Sequence, residues 1–392
     1  MSKYIIALTS ILALSAIPSI VSAADVKVQG ILNAGVKYTH KDIGKSTFVM
    51  AKGGEEDASS RVSIIATEKL TDSLYVRVNL TSALNVDSGS VRQFPQSGSN
   101  LFSMESSLSI GNEDVEIQFG RLGALTSTYG TWSAYNRLRM NATRSGLSEL
   151  GSGMHVNHFV LDNAVLITTK NKSGLFGSFF YSNGDNAENP QTGEVIDQEA
   201  RYDWSDRRHM MQGLVGYKKG PFASGIIYSY NMPVQYPGSV RKDNEQHVHY
   251  TASWDFGSCM VTGTLYWAKN VRSAFTNQAT TYFDAIGADK ASRDVNKSMK
   301  GLEVKSLYMG VAVPMGSNFL GLSAGYGTAA WKGSAVAGVT KTDGDMFRFG
   351  GVYRYSLSKS TYLYAAGAYL HGDDLLKAAT GHMFSAGMVH KF

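Results

Sequence analysis

Arginine is the residue type in this sequence whose number and spacing most clearly suggest chemistry. The segment 122–161 contains three arginines, Arg137, Arg139 and Arg144, against a single acid, Glu149. Guanidinium groups that face a water-filled passage attract anions and raise the barrier for cations. Alternatively, these arginines pair with carboxylates elsewhere or lie on a surface. The segment therefore predicts either an anion-attracting lining or a set of structural contacts.

Five further basic residues lie in segments where polar and apolar residues alternate, and all five have the polar parity. They are Lys37, Arg61, Arg77, Arg348 and Arg354. An arginine on the lipid-facing side of a membrane strand costs roughly 2 to 4 kcal/mol near the midplane. We therefore expect these side chains to face inwards and to join the arginines of the segment 122–161. Some of them could instead pair with acids such as Glu116, Asp345 or Glu68.

Aromatic residues of the same segment allow two interpretations. They are Tyr129, Trp132 and Tyr135. Such rings can form a strip that contacts sugars, or they can simply anchor the segment against a wall. Anchoring is the interpretation we favour.

Signals for catalysis or metal binding are weak. His247 and His249 share a strand face but lack a third ligand, so we expect solvated histidines near a loop. The run Gly321-Leu322-Ser323-Ala324-Gly325 has the nucleophile-elbow pattern, which requires a strand-to-helix turn, yet it lies inside an alternating strand. We predict no catalytic residue, no metal site and no cofactor.

Short strands are the elements that must position these side chains. From Val26 to Tyr38 one parity is apolar and the other mostly polar, and the pattern returns until about sixteen strands are counted. A soluble sandwich would also alternate. Aromatics near the strand ends favour a membrane barrel, whose girdles they would form. They are Tyr38, Phe119, Tyr181, Tyr217, Trp254, Trp267 and Tyr326.

The predicted fold is therefore all-β: a 16-stranded antiparallel transmembrane β-barrel. Short connections follow every even-numbered strand and long ones every odd-numbered strand. A barrel of about sixteen to eighteen strands is too wide for its side chains to fill, so water occupies the interior. The longest connection, 122–161, is expected to fold inwards as a third loop that narrows the pore. The barrel forms one domain, residues 24–392.

An export signal precedes the barrel. Lys3, an apolar stretch from Ile5 to Ile17 and Val21-Ser22-Ala23 have the order of a cleaved signal peptide, predicted as residues 1–23. That apolar stretch is too short to span a bilayer. The single cysteine, Cys259, excludes an intramolecular disulfide framework, and a formal net charge of +5 is too mild for a nucleic-acid partner.

Several motifs make the chain resemble the trimeric general porins of Gram-negative outer membranes, especially their β-proteobacterial branch. Gly120-Arg121 stands where that family enters its constriction loop, and Asp162-Asn163-Ala164-Val165 where it leaves that loop. The most specific stretches are Tyr355-Ser356-Leu357-Ser358-Lys359-Ser360-Thr361 and the ending Gly387-Met388-Val389-His390-Lys391-Phe392. The sequence departs from the family in the acid-poor loop and in Ser63 and Ala66, which replace usual glycines.

This resemblance implies a non-enzymatic homotrimer in the outer membrane through which ions and small hydrophilic solutes diffuse. It also implies contact with membrane lipid and lipopolysaccharide, and Phe392 resembles the signal read by the barrel assembly machinery. The charge inventory adds a preference for anions. Two alternatives remain: a channel specific for one solute class, and a barrel that serves only as scaffold for an adhesin or hydrolase.

Overall fold

The computed structural model describes most of the chain from residue 24 onward. Its described residues are 24–42, 46–51, 58–92, 100–139, 160–171, 173–183, 187–188, 195–196, 208–233, 235, 240–271, 298–335 and 340–392. The predicted signal peptide, residues 1–23, lies outside them. No helix within these ranges is long and apolar enough to cross a membrane.

Strands account for nearly all of the described secondary structure. In the first half they are β1 (Asp25–Lys41), β2 (Thr47–Ala51), β3 (Arg61–Lys69), β4 (Tyr75–Ala83), β5 (Glu105–Gly111), β6 (Val115–Gly123), β7 (Val160–Thr169), β8 (Leu175–Ser182), β9 (Ala187–Glu188) and β10 (Val195–Ile196). In the second half they are β11 (His209–Lys219), β12 (Phe222–Met232), β13 (Glu245–Asp255), β14 (Met260–Val271), β15 (Leu302–Met315), β16 (Asn318–Trp331), β17 (Asp343–Ser356), β18 (Thr361–Gly372) and β19 (Gly381–Lys391). Two short helices accompany them, α1 (Ala134–Arg137) and a 3₁₀ helix (Asp374–Ala379).

Sixteen of these strands form one closed antiparallel barrel, which confirms the predicted fold class. Successive strands pair from β3 to β8 and from β11 to β19, and β8 pairs with β11. β1 pairs with β3 on one side and with β19 on the other, from Ile31 opposite Lys391 to Lys41 opposite Gly381. The short β2 pairs with residues 35–39 of β1, on the same side as β3, and so continues the line of β3. The sequence did not predict β2 or the small β9–β10 ribbon.

The two ends of the barrel differ in their connections. At one end, here called the turn end, short turns join the strands; at the other, the loop end, the connections are long. The turns rely on glycine where the backbone turns left-handed, as at Gly220 (φ +58°) and Gly316 (φ +65°). Glycine adopts this conformation without the clash that a Cβ atom causes.

Burial in the barrel wall is the reverse of burial in a soluble protein. Large apolar side chains such as Val215 are more than half exposed on the outward face, whereas Gln212 and Thr251 on the inward face are buried. Alternation of strand side chains produces this division, and a lipid environment outside the barrel explains why the outward face is the apolar one. Lipid outside and polar groups inside are what the period-two pattern predicted.

The last residue closes the barrel against the first strand. The backbone N–H of Gly30 donates to the Phe392 carbonyl (2.8 Å), and the N–H of Phe392 donates to the Gly30 carbonyl (3.1 Å). A Cβ atom at Gly30 would lie 2.3 Å from the Phe392 ring. Any larger residue at this position would therefore have to displace the terminal ring. The role of Phe392 as an assembly signal stays a prediction.

Candidate functional site

The described part of the third loop, residues 122–139, lies against the inward face of the wall. The Leu125 N–H donates to Gln212 Oε1 (2.6 Å), and Gln212 Nε2 donates to Thr126 Oγ1 (3.1 Å). Leu125 and Leu138 are fully buried. They belong to one apolar cluster with inward-facing wall residues that include Leu166, Phe180 and Ile227. Residues 140–159, with Arg144 and Glu149, lie outside the described residues, so the constriction that the whole loop would form stays a prediction.

An ion pair joins the two ends of the loop. Arg121 pairs with Asp162, and its Nε donates to the Ser103 carbonyl (2.9 Å). The register between β6 and β7 shifts between Gly120 and Leu122, and Gly120 has φ +124°. Glycine permits that backbone, which accommodates an irregularity within β6 shortly before the strand ends at Gly123. The loop thus leaves the wall and returns to it at a fixed point.

Arg137 binds neutral groups of the wall. Its Nη1 donates to Thr168 Oγ1 and Ser178 Oγ (2.8 Å each), and its Nη2 donates to the Thr169 carbonyl (2.6 Å). The guanidinium also lies 3.9 Å from the centre of the Phe176 ring, a cation–π contact. Burial lowers the pKa of Arg137 to about 10, which leaves the side chain charged at neutral pH.

Arg139 also binds neutral groups, in its case at the turn end of the barrel. It donates to the carbonyls of Gly220 (2.9 Å) and Pro221 (2.8 Å). Within the described residues, no carboxylate lies within 4 Å of Arg137 or Arg139. The loop therefore carries two positive charges down to the turn end and no described acid balances them.

The loop aromatics contact the wall, as the anchoring interpretation expects. The hydroxyls of Tyr129 and Ser59 are 2.8 Å apart, and Trp132 Nε1 donates to Glu116 Oε1 (3.0 Å). Tyr135 is only 4% exposed. These rings are consequently committed to protein contacts.

All five basic wall residues have the inward parity, but their environments differ. Arg77 lies 3.4 Å from Glu116, so its charge is balanced. Lys37 and Arg348 are buried, with exposed fractions of 6% and 1%. Arg61 and Arg354 line a cavity between the wall and the loop. Their parity was predictable, whereas their partners were not.

That cavity has a volume of about 550 Å³, and its lining includes two charged residues that were not among the predicted pore residues, Glu105 and Lys391. Alternation could have found Glu105, because Ser107 and Ser109 follow it on the inward parity of β5. Lys391 was overlooked inside the terminal motif. It has the parity of Ser385 and Val389, which are buried on the inward face.

The expectation of solvated histidines was wrong. His247 and His249 on β13 are buried, with exposed fractions of 0% and 1%. His247 Nδ1 is 2.9 Å from the Tyr266 hydroxyl, and its Nε2 is 3.6 Å from Glu245 Oε2. Among the described residues, no group of three or more His, Cys, Asp or Glu could hold a metal ion.

Comparison with known proteins agrees with this architecture. Residues 7–375 match the family described as Gram-negative porin. The chain belongs to that family. This porin is 25% identical over 379 residues to an outer membrane porin protein of Bordetella pertussis strain Tohama I, covering 94% of this chain and 90% of the relative. It is an outer-membrane protein.

Solved structures share the fold of this porin. An anion-selective porin from Comamonas acidovorans superimposes with a TM-score of 0.64 at 19% identity, covering 94% of this chain and 100% of that one. The outer membrane channel DcaP of Acinetobacter baumannii gives 0.60 at 11% identity, with 95% and 98% covered. In-vitro folded OmpT of Vibrio cholerae, a trimer form, gives 0.57 at 15% identity, with 95% and 100% covered.

Proposed function

We propose that this porin is a passive diffusion channel that prefers anions among small hydrophilic solutes. Its family and its closed barrel point to a channel rather than to an enzyme. The observation that carries the anion preference is the pair of loop arginines, Arg137 and Arg139. Among the described residues, their guanidinium groups donate hydrogen bonds only to hydroxyl and carbonyl oxygens of the wall, and no carboxylate lies within 4 Å of them. A charge that no acid balances leaves a positive potential in the lumen, which attracts anions.

Two further observations support that sign. Arg61 also has no carboxylate within 4 Å among the described residues, and it lines the cavity beside the loop. The solved porin from Comamonas acidovorans, which shares the fold, is described as anion-selective. A barrel of this fold can therefore be selective for anions.

A homotrimer belongs to the same proposal. The outward faces of β3, β4 and β5 carry no aromatic residue; they consist of Val62, Ile64, Ala66, Glu68, Val76, Val78, Leu80, Ser82, Ser106, Leu108 and Ile110. Membrane barrels carry girdles of aromatic residues where they meet the two membrane interfaces. On other strands of this barrel, Trp254, Tyr326 and Tyr353 supply such exposed rings. A face without a girdle suits contact with a neighbouring barrel. Contacts with lipopolysaccharide and with the assembly machinery remain predictions.

The deciding experiment is the reversal potential of the refolded protein in a planar bilayer under a potassium chloride gradient. The proposal requires conductance steps in groups of three and a reversal potential whose sign shows that chloride is more permeant than potassium. A cation-selective potential would contradict the anion preference. A silent bilayer, with ligand binding by the long loops, would favour the scaffold alternative.

A further inference from the structure

A cavity of about 550 Å³ separates the third loop from the wall strands β1, β3, β4 and β5 and the strand ends of β17 to β19. This volume lies within the range of about 300 to 1,000 Å³ that small-molecule sites occupy. Hydroxyl and amide groups supply much of its lining, including those of Ser59, Thr131, Asn79 and Asn136. The cavity therefore suits a small hydrophilic solute.

Glu105 is the one acid that lines this cavity among the described residues. It is 4% exposed, and its Oε1 accepts hydrogen bonds from Ser107 Oγ (3.0 Å) and Thr131 Oγ1 (3.4 Å). No described cation lies within 4 Å of it. Burial of a carboxylate without a cation is costly. A cationic group of a solute would compensate that cost.

Three cations line the same cavity on the side of β3 and β17 to β19: Arg61, Arg354 and Lys391. Among the described residues, Arg61 makes one hydrogen bond, from Nη1 to the Ser59 carbonyl (3.1 Å). A guanidinium has five donors, so Arg61 has donors available for an anionic group of a solute. Arg354 and Lys391 stack near the rings of Phe319 (4.5 Å) and Tyr362 (5.8 Å).

The register of the strands sets the distance between the two charges. Glu105 pairs with Thr81, and Thr81 pairs with Ser63, two residues after Arg61. Strands lie about 4.8 Å apart, so the backbones at Glu105 and Ser63 are roughly 10 Å apart across β4. Between them Thr81 Oγ1 donates to Ser63 Oγ (2.8 Å), which forms a neutral floor. Arg61 lies two residues from Ser63 on the same strand, and both charged side chains line the cavity above this floor.

We propose that this cavity is a binding site for small zwitterions of the α-amino acid type. The ammonium group binds Glu105, and the carboxylate binds Arg61, with Arg354 and Lys391 adding to the attraction. This inference rests on the proposed channel function, since it names a class of solute that passes the third loop. It differs from the anion preference, because a site for simple anions has no use for Glu105.

Three probes of similar size test the proposal: L-alanine, propionate, which lacks the ammonium group, and ethylammonium, which lacks the carboxylate. Each is titrated into the bilayer, and the concentration that halves the single-channel current is measured. For the wild-type protein we expect L-alanine to act at about tenfold lower concentration than either analogue, as expected for one additional charge-assisted hydrogen bond.

Two variants and one control separate the charges. Glu105→Gln keeps the shape of the side chain and an acceptor for Ser107. It should weaken the binding of L-alanine about tenfold without weakening the binding of propionate. Arg61→Gln should weaken L-alanine and propionate but not ethylammonium. Glu303→Gln is the control, because Glu303 pairs with Lys305 (3.3 Å) and does not line the cavity.

The proposal is overturned if L-alanine and propionate halve the wild-type current at the same concentration. It is also overturned if Glu105→Gln weakens the binding of both probes equally. The wild-type comparison alone decides the matter if a variant fails to fold. A silent bilayer would refute the channel and not the cavity, since calorimetric titration of the detergent-solubilised protein with the same probes measures binding without conductance.

Discussion

Individual charges of this porin differ mainly in their partners. Arg77 is balanced by Glu116 at 3.4 Å, whereas Arg137 binds two hydroxyls and a carbonyl. A balanced charge contributes little to the potential of the lumen, while an unbalanced one acts on every passing ion. We therefore propose that selectivity depends on specific arginines rather than on the net charge of +5.

Arg137→Gln is expected to lower the permeability ratio of chloride to potassium several-fold, because a unit charge acts by about 1 kcal/mol on an ion 4 Å away in water. Arg137→Lys keeps the charge and should keep the ratio. Since the pKa of Arg137 is about 10, its positive charge is present below that pH and is lost above it. The difference in reversal potential between the wild-type protein and Arg137→Gln should thus be the same at pH 6 and at pH 8. A glutamine variant with wild-type selectivity would show that Arg137 does not contribute to selectivity.

At the scale of elements, hydrogen bonds to the wall hold the loop. Gln212 accepts from the Leu125 N–H and donates to Thr126 Oγ1 and to Ser229 Oγ (2.9 Å). All of these groups are buried. A buried donor that loses its acceptor costs about 1 to 3 kcal/mol. The loop position accordingly depends on a few wall side chains.

Gln212→Leu should release the loop and leave the barrel intact. We expect backbone amides of residues 124–138 to exchange with deuterium at least about fivefold faster, as expected for a local loss of about 1 kcal/mol. Amides of β11 and β12 should keep their protection. Gln246→Leu serves as control, because Gln246 lies on the outward parity of β13. Unchanged exchange in the loop would show that other contacts hold it.

Beside the closing strand pair β1–β19, the Phe392 ring packs over Gly30. Gly30→Val is expected to displace the Phe392 ring and to destabilise the folded barrel by about 1 to 3 kcal/mol, as overpacking does. Gly213→Val is the matched control, because a Cβ atom at Gly213 meets nothing within 4 Å. Gel mobility of samples heated stepwise reports the temperature of unfolding. Equal unfolding temperatures of the two variants would contradict the closing role of Gly30.

At the scale of the whole molecule, the outward surface is uneven. Apart from Glu68 near the turn end, β3 to β5 are aliphatic or small on this side, whereas the strands from β11 onward supply most of the exposed aromatic rings. A monomer surrounded by lipid needs a girdle on every side. The uneven surface therefore favours an assembly in which β3 to β5 meet a neighbouring barrel.

Leu108 and Leu265 allow a matched test of that assembly, since each is 53% exposed on the outward face, on β5 and on β14. Leu108→Arg should convert trimers to monomers in mild detergent, because it places a charge in the contact between barrels. Leu265→Arg should leave the trimer intact and cost about 2 to 4 kcal/mol in membrane stability. Light scattering of the purified proteins gives the masses, and a trimeric Leu108→Arg variant would exclude this face.

Sequence alone was enough to predict the sixteen strands of the barrel, their alternation and the inward parity of all five basic wall residues, but not β2 or the β9–β10 ribbon. Lipid outside and water inside select side chains two residues apart, so this information is local. Tertiary structure decided which charges are balanced. Arg139 reaches carbonyls 81 and 82 residues away, and Arg77 meets Glu116 39 residues away. The same holds for Glu105 and Arg61, whose shared cavity depends on the path of the loop. Periodicity fixes the face on which a side chain lies, but contacts across the lumen depend on how distant strands and the loop come together, and no local pattern encodes that.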